Sequence, residues 1–69
     1  MFEYELRMQI ETSHRGLAIA RREDLPYEAY LHRARLEDLF ELAERHGVDV
    51  EQWIDRSSLP PLTLSGYCN

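Results

Sequence analysis

Phe2-Glu3-Tyr4-Glu5-Leu6-Arg7-Met8-Gln9-Ile10-Glu11 alternates apolar and polar residues without a break. In an extended chain Phe2, Tyr4, Leu6, Met8 and Ile10 share one side, and Glu3, Glu5, Arg7, Gln9 and Glu11 the other. Period two is the pattern of a strand with one dry face and one wet face, and this run predicts a first strand about 30 Å long. Thr12-Ser13-His14-Arg15-Gly16 then reads as a hairpin loop, with Gly16 supplying the positive φ of a bulged turn. A second, shorter strand from Leu17 to Arg22 closes the hairpin, with Leu17 and Ile19 on one face and Ala18 and Ala20 on the other.

Beyond the hairpin the period changes. Pro26 suits a first helical turn, Asp24 and Glu28 place negative charge at its start, and Gly47 provides a left-handed cap at its end. On this helix Leu25, Ala29, His32, Leu36, Leu39, Phe40 and Ala43 form one apolar stripe. A second cluster, Tyr27, Tyr30, Leu31 and Ala34, lies on the opposite side. Asp49 and Gln52 have the spacing of a capping box, with Val48 and Trp53 placed for a hydrophobic staple, so a short second helix is expected as far as Ser57. Its buried face would be Val50, Trp53 and Ile54. Pro60 and Pro61 forbid helix in the remainder, which is expected to run extended over the surface, held by Leu59, Leu62 and Leu64 or left free. The fold class expected is therefore α+β: an N-terminal antiparallel β-hairpin, one long amphipathic helix, one short capped helix and an extended C-terminal tail. Residues 1–58 form the single small domain, and residues 59–69 form the tail.

Sixty-nine residues lie near the lower limit for a self-sufficient core. With one cysteine there is no internal disulfide, and His14, His32, His46 and Cys68 lack the spacing of a structural zinc site. Self-association is the remaining support, so a homodimer is expected, through hairpins merged into a four-stranded sheet or through the Tyr27/Tyr30/Leu31/Ala34 face. Thirteen acidic against eight basic residues leave a net charge of −5, which makes nucleic acid an unfavourable ligand and a basic protein surface a favourable one. The exposed face of the first strand is mostly acidic, which argues against a ribbon-helix-helix DNA reader. No apolar run approaches a membrane span, and the first ten residues are too charged for a signal-peptide core. A cytoplasmic protein of bacterial or phage type, without membrane contact, is the expectation.

Little in the chain points to chemistry. The isolated glycines Gly16, Gly47 and Gly66 build no phosphate loop. Ser13, Ser57, Ser58 and Ser65 sit in no nucleophile elbow. Glu37, Asp38, Glu41 and Glu44 interleave with Arg33, Arg35 and Arg45, as on a solvated face laced with ion pairs, Glu41 to Arg45 having the favourable i,i+4 order. His32 falls within the apolar stripe as a core-edge histidine. His46 would stand roughly 21 Å from it on a straight helix, too far to share a metal. Arg21-Arg22 is neutralised by Glu23-Asp24. No catalytic residue, cofactor or metal is therefore expected, and the protein is read as a non-enzyme.

Two features remain. Tyr27 and Tyr30, with Leu31, Arg33, Ala34 and Arg35, would form an aromatic–arginine patch of the kind that dominates protein interfaces. Cys68 is the one reactive-looking thiol. The tail Leu59-Pro60, Gly66 and Cys68-Asn69 resembles the end of the DsrC/TusE sulfur-carrier family, whose mobile arm ends Leu-Pro…Gly/Lys-Cys-X. The gap here is longer, the resemblance covers a dozen residues at most, and the rest of the chain is shorter than that family's helical body and does not match it. The function expected is a non-catalytic interaction module, an adaptor or inhibitor that binds a larger enzyme or regulator. The alternatives are a thiol or sulfur carrier, or a modified-peptide substrate, acting through Cys68, and a nucleic-acid-linked regulator, which a steep salt dependence of binding would reveal.

Overall fold

The structure, a computed structural model, describes residues 2–62. It is an antiparallel pair of long helices, α1 (Phe2–Arg22) and α2 (Pro26–Arg45), followed by two short 3-10 turns at Val50–Gln52 and Arg56–Ser58. No strand occurs among the described residues. The α+β expectation is therefore wrong: the hairpin is made of helices, and the four-stranded sheet between two copies has no strands to build it.

The alternating run fails as a strand because it hides two helical spacings. Leu6 and Ile10 are four apart, as are Tyr4 and Met8, and at about 100° per residue these pairs lie on nearly opposite sides of a helix. The structure buries Leu6, Ile10, Ser13, Leu17 and Ala20, in steps of four and three, and leaves Tyr4 and Met8 exposed. That stripe runs the length of α1, straight through the supposed loop at residues 12–16. In the supposed second strand Leu17 and Ala20 are buried while Ala18 and Ile19 are exposed, which no strand permits. Composition agrees: Glu, Arg, Gln, Met, Leu and Ala outnumber the β-branched Ile10, Thr12 and Ile19 in this segment. An i,i+4 ion pair, Arg7 Nε to Glu11 Oε2 at 3.0 Å, adds a few tenths of a kcal/mol.

Gly16 is helical, and its role differs from the turn expected of it. A Cβ built there would lie 2.5 Å from Cε1 of His32. The missing side chain lets the imidazole of α2 lie directly on the backbone of α1, which accounts for a glycine in the middle of a helix.

Both helices end in the same way. The Leu25 N–H donates to Ala20 O at 2.8 Å and the Asp24 N–H to Arg21 O at 3.2 Å, a Schellman turn with Asp24 in the left-handed position at φ 59°. At the end of α2 the Val48 N–H donates to Ala43 O at 2.9 Å and the Gly47 N–H to Glu44 O at 3.1 Å, with Gly47 at φ 69°. Gly47 thus takes the left-handed backbone that its place in the sequence suggests. At the open end of the helical hairpin the Phe2 and His46 rings meet at a centroid distance of 4.5 Å.

The expected short helix is two separate 3-10 turns, each started by an aspartate. Asp49 accepts from the Glu51 N–H at 3.0 Å, so the side chain caps the second residue of the turn and not Gln52. Asp55 accepts from the N–H of Ser57 at 3.1 Å and from its hydroxyl at 2.6 Å, which restarts the chain in a second turn and prevents one continuous helix. These turns lay Val50 and Ile54 against Leu6, Ile10, Leu17, Leu36, Leu39, Phe40 and Ala43 as one core, with Trp53 and Leu59 packed on its edge. Arg56 closes this layer: its guanidinium sits 4.6 Å above the Phe40 ring and 3.5 Å from Glu44.

Candidate functional site

The residues expected to form one patch on α2 are distributed over three faces. Tyr27 and Leu31, one turn apart and opposite the core, are 53% and 46% exposed. Ala34 continues their line and is half-buried. Asp38 and Glu41 extend the same face toward the C-terminus, where Glu41 pairs with Arg45 at 3.5 Å. The outward face of α2 is thus apolar in its first half and acidic-leaning in its second.

Tyr30 and Arg33 turn toward the tail. Arg33 is only 12% exposed in its side chain; its Nε donates to Pro60 O at 2.7 Å and its Nη1 to Glu37 Oε2 at 2.6 Å. A charge-assisted bond to a main-chain carbonyl, with the guanidinium also held by a carboxylate, makes Arg33 a strap between α2 and the tail. Beneath this strap lies a cleft of about 320 Å³, lined by Leu17, Ala20, Leu25, Ala29, Tyr30 and Pro60 among others. Its walls are chiefly aliphatic, with Arg21 and Asp24 also among the lining residues. The described part of the tail is accordingly docked: Leu59 packs on the core and Pro60 is bonded, while Leu62 remains exposed.

Arg35 belongs to neither group. It is exposed on the flank of α2 that faces Met8, Gln9, Thr12 and Ser13 of α1, across a shallow groove of about 220 Å³. Two residues of separation place Arg33 and Arg35 about 160° apart around the helix, so a single aromatic–arginine patch cannot include both. Part of the signal was present in the spacing, since Tyr27, Leu31 and Ala34 follow steps of four and three while Arg33, two residues from Leu31, falls on another side of the helix.

The other candidates resolve plainly. Of the four carboxylates Glu37, Asp38, Glu41 and Glu44, three are paired, with Arg33, Arg45 and Arg56. Ser13 is buried between the helices, and Ser57 and Ser58 bond to Asp55. No group of three His, Cys, Asp or Glu residues placed to hold a metal occurs among the described residues. No described helix is long and apolar enough to cross a membrane. Cys68, together with Leu64, Ser65, Gly66, Tyr67 and Asn69, lies outside the described residues. What the sequence reading missed is the outer side of α1, where Tyr4, Met8 and Ile19 are exposed. The i,i+4 pairing of Tyr4 with Met8 was the sign of it. Compared with family models, with curated proteins and with solved structures, the chain finds no match in any of the three.

Proposed function

We propose that this protein is a non-catalytic interaction module, an adaptor or small inhibitor that docks on a larger enzyme or regulator in the cytoplasm. The observation that carries this reading is the outward face of α2. Tyr27 and Leu31 are large, exposed and one turn apart on a helix whose opposite side is locked into the core. A helix presenting side chains at i and i+4 from a rigid support is a common mode of groove recognition, because its conformational entropy is already spent. Asp38 and the net charge of −5 favour a partner whose apolar groove is bordered by Lys or Arg.

The test is affinity capture from the native host with wild-type chain and with Tyr27→Ala/Leu31→Ala, followed by calorimetry with the purified partner. The double variant should lose at least about 2 kcal/mol, roughly thirtyfold in affinity, if these residues are the anchor. Equal affinity of the two proteins for the partner would reject the α2 face. Cys68→Ser separates this reading from a thiol carrier, since a binder keeps its affinity and its effect on the partner while a carrier loses all activity.

A further inference from the structure

We infer that two copies of this chain pair antiparallel through the outer face of α1, giving a four-helix assembly that leaves the Tyr27/Leu31 face of each copy open. The inference is independent of what binds α2, since the two faces lie on opposite sides of the helical hairpin. On α1, directly behind the buried stripe, Tyr4, Met8 and Ile19 are 66%, 45% and 43% exposed. With the exposed Thr12 and Arg15 they make a line, Tyr4-Met8-Thr12-Arg15-Ile19, in steps of four, four, three and four. That is the spacing of a helix seam, and here it lies opposite the buried stripe, with Met8 and Thr12 also bordering the shallow groove beside Arg35 of α2.

The charges of α1 say what covers the seam. Its first half carries Glu3, Glu5 and Glu11 against Arg7 alone. Its second half carries Arg15, Arg21 and Arg22 with no carboxylate inside the helix, Glu23 and Asp24 following at once in the turn and offsetting part of that charge. A parallel copy would set like charge on like. An antiparallel copy sets Glu5 and Glu11 against the arginine-bearing half of its mate, with only Glu3 meeting like charge near Glu23. The surface is on balance complementary to itself, as an isologous two-fold interface requires. With the axis near Ser13, Met8 packs beside Ile19 of the partner subunit and Glu11 beside Arg15 of the partner subunit. Tyr4 comes under Arg22 of the partner subunit, within reach of a cation–π contact. The helix dipole accounts for acids at one end and bases at the other. It does not account for three large exposed residues, Tyr4, Met8 and Ile19, on one side between them.

Sedimentation of the full chain under reducing conditions, from low to high micromolar concentration, tests this directly. The expected species is a dimer, twice the 8.2 kDa of one chain. Met8→Glu/Ile19→Glu should yield a helical monomer, and Tyr27→Ala/Leu31→Ala should remain dimeric. Glu11→Arg and Arg15→Glu should each weaken the dimer about tenfold, and an equimolar mixture of these two should regain wild-type affinity, because every reversed residue then meets its opposite. A wild-type monomer throughout would overturn the inference. So would a dimer that survives the Met8/Ile19 change, one that is lost with Tyr27 and Leu31, or a mixture no tighter than its parts.

Discussion

The two helices of this protein are built to different rules. α2 buries one stripe, in which Leu36, Leu39, Phe40 and Ala43 are buried, Ala29 and His32 sit at the edge and the expected Leu25 is exposed; its outward apolar residues, Tyr27 and Leu31, are confined to its first half. α1 carries two stripes, one of Leu6, Ile10, Ser13, Leu17 and Ala20 turned inward and one of Tyr4, Met8 and Ile19 turned outward. When two helical stripes on opposite sides interleave, the sequence alternates and imitates a strand. The lesson is that period two over ten residues specifies two faces, and a helix with two apolar faces satisfies it as well as a sheet does.

The largest expected effect separates the two stripes. On a strand Met8 and Ile10 would be equivalent neighbours on one dry face; on α1 they are not. Ile10→Ala should cost about 2–4 kcal/mol, through lost burial and the cavity left beside the Leu36 and Phe40 layer. Met8→Ala should change the stability of the monomeric fold by less than about 0.5 kcal/mol, since its side chain is already half in water. Urea unfolding at low protein concentration, where association does not contribute, reads both. Equal losses would restore the strand reading and break the comparison.

A second effect tests where the helices touch. Alanine normally stabilises a helix interior by about 1 kcal/mol over glycine, but at position 16 its Cβ would strike the His32 ring. Gly16→Ala should therefore stabilise the chain by about 1 kcal/mol only when His32 is also replaced by Ala, and should gain nothing in its presence. For a domain of this size the difference is roughly 4–8 °C in Tm. Additive single and double variants would show that Gly16 has no part in helix contact.

How much of this could be read in advance follows from the physics of each segment. The body of α2 was legible because its stripe, its proline start and its Gly47 cap all agree. The turn after Val48 was half legible: aspartate capping was visible at Asp49, but Asp55 as a competing second cap was not, because Ser57 had to be close enough for both its N–H and its hydroxyl to reach the carboxylate. α1 was misread because a glycine in its middle suggested a loop, and only the facing His32 explains that glycine as a contact. Tyr27 and Leu31 were visible as an opposite face. Arg33 could not be separated from them by residue type, since its burial is decided by a carbonyl 27 residues away at Pro60.

The smallest effect concerns the two helix ends, which share one hydrogen-bond pattern and differ in the residue at its left-handed position. Asp24 tolerates φ 59° better than most residues but less well than Gly47 tolerates φ 69°. Its carboxylate also lies between two opposed dipoles, unfavourably placed at the end of α1 and favourably at the start of α2, so the two charge effects nearly offset. The backbone term is what remains. Asp24→Gly should thus stabilise the chain by about 0.5–1 kcal/mol, and Gly47→Asp should destabilise it by at least as much, because only a three-residue 3-10 turn, already capped by Asp49, follows Gly47 to compensate the added charge. Asp24→Asn, which keeps the tolerated backbone and removes the charge, should stay within about 0.5 kcal/mol of wild type. Were Asn to recover the whole gain seen with Gly, charge and not backbone would govern the turn. The missing glycine would then explain nothing about why the end of α1 was harder to see than the end of α2.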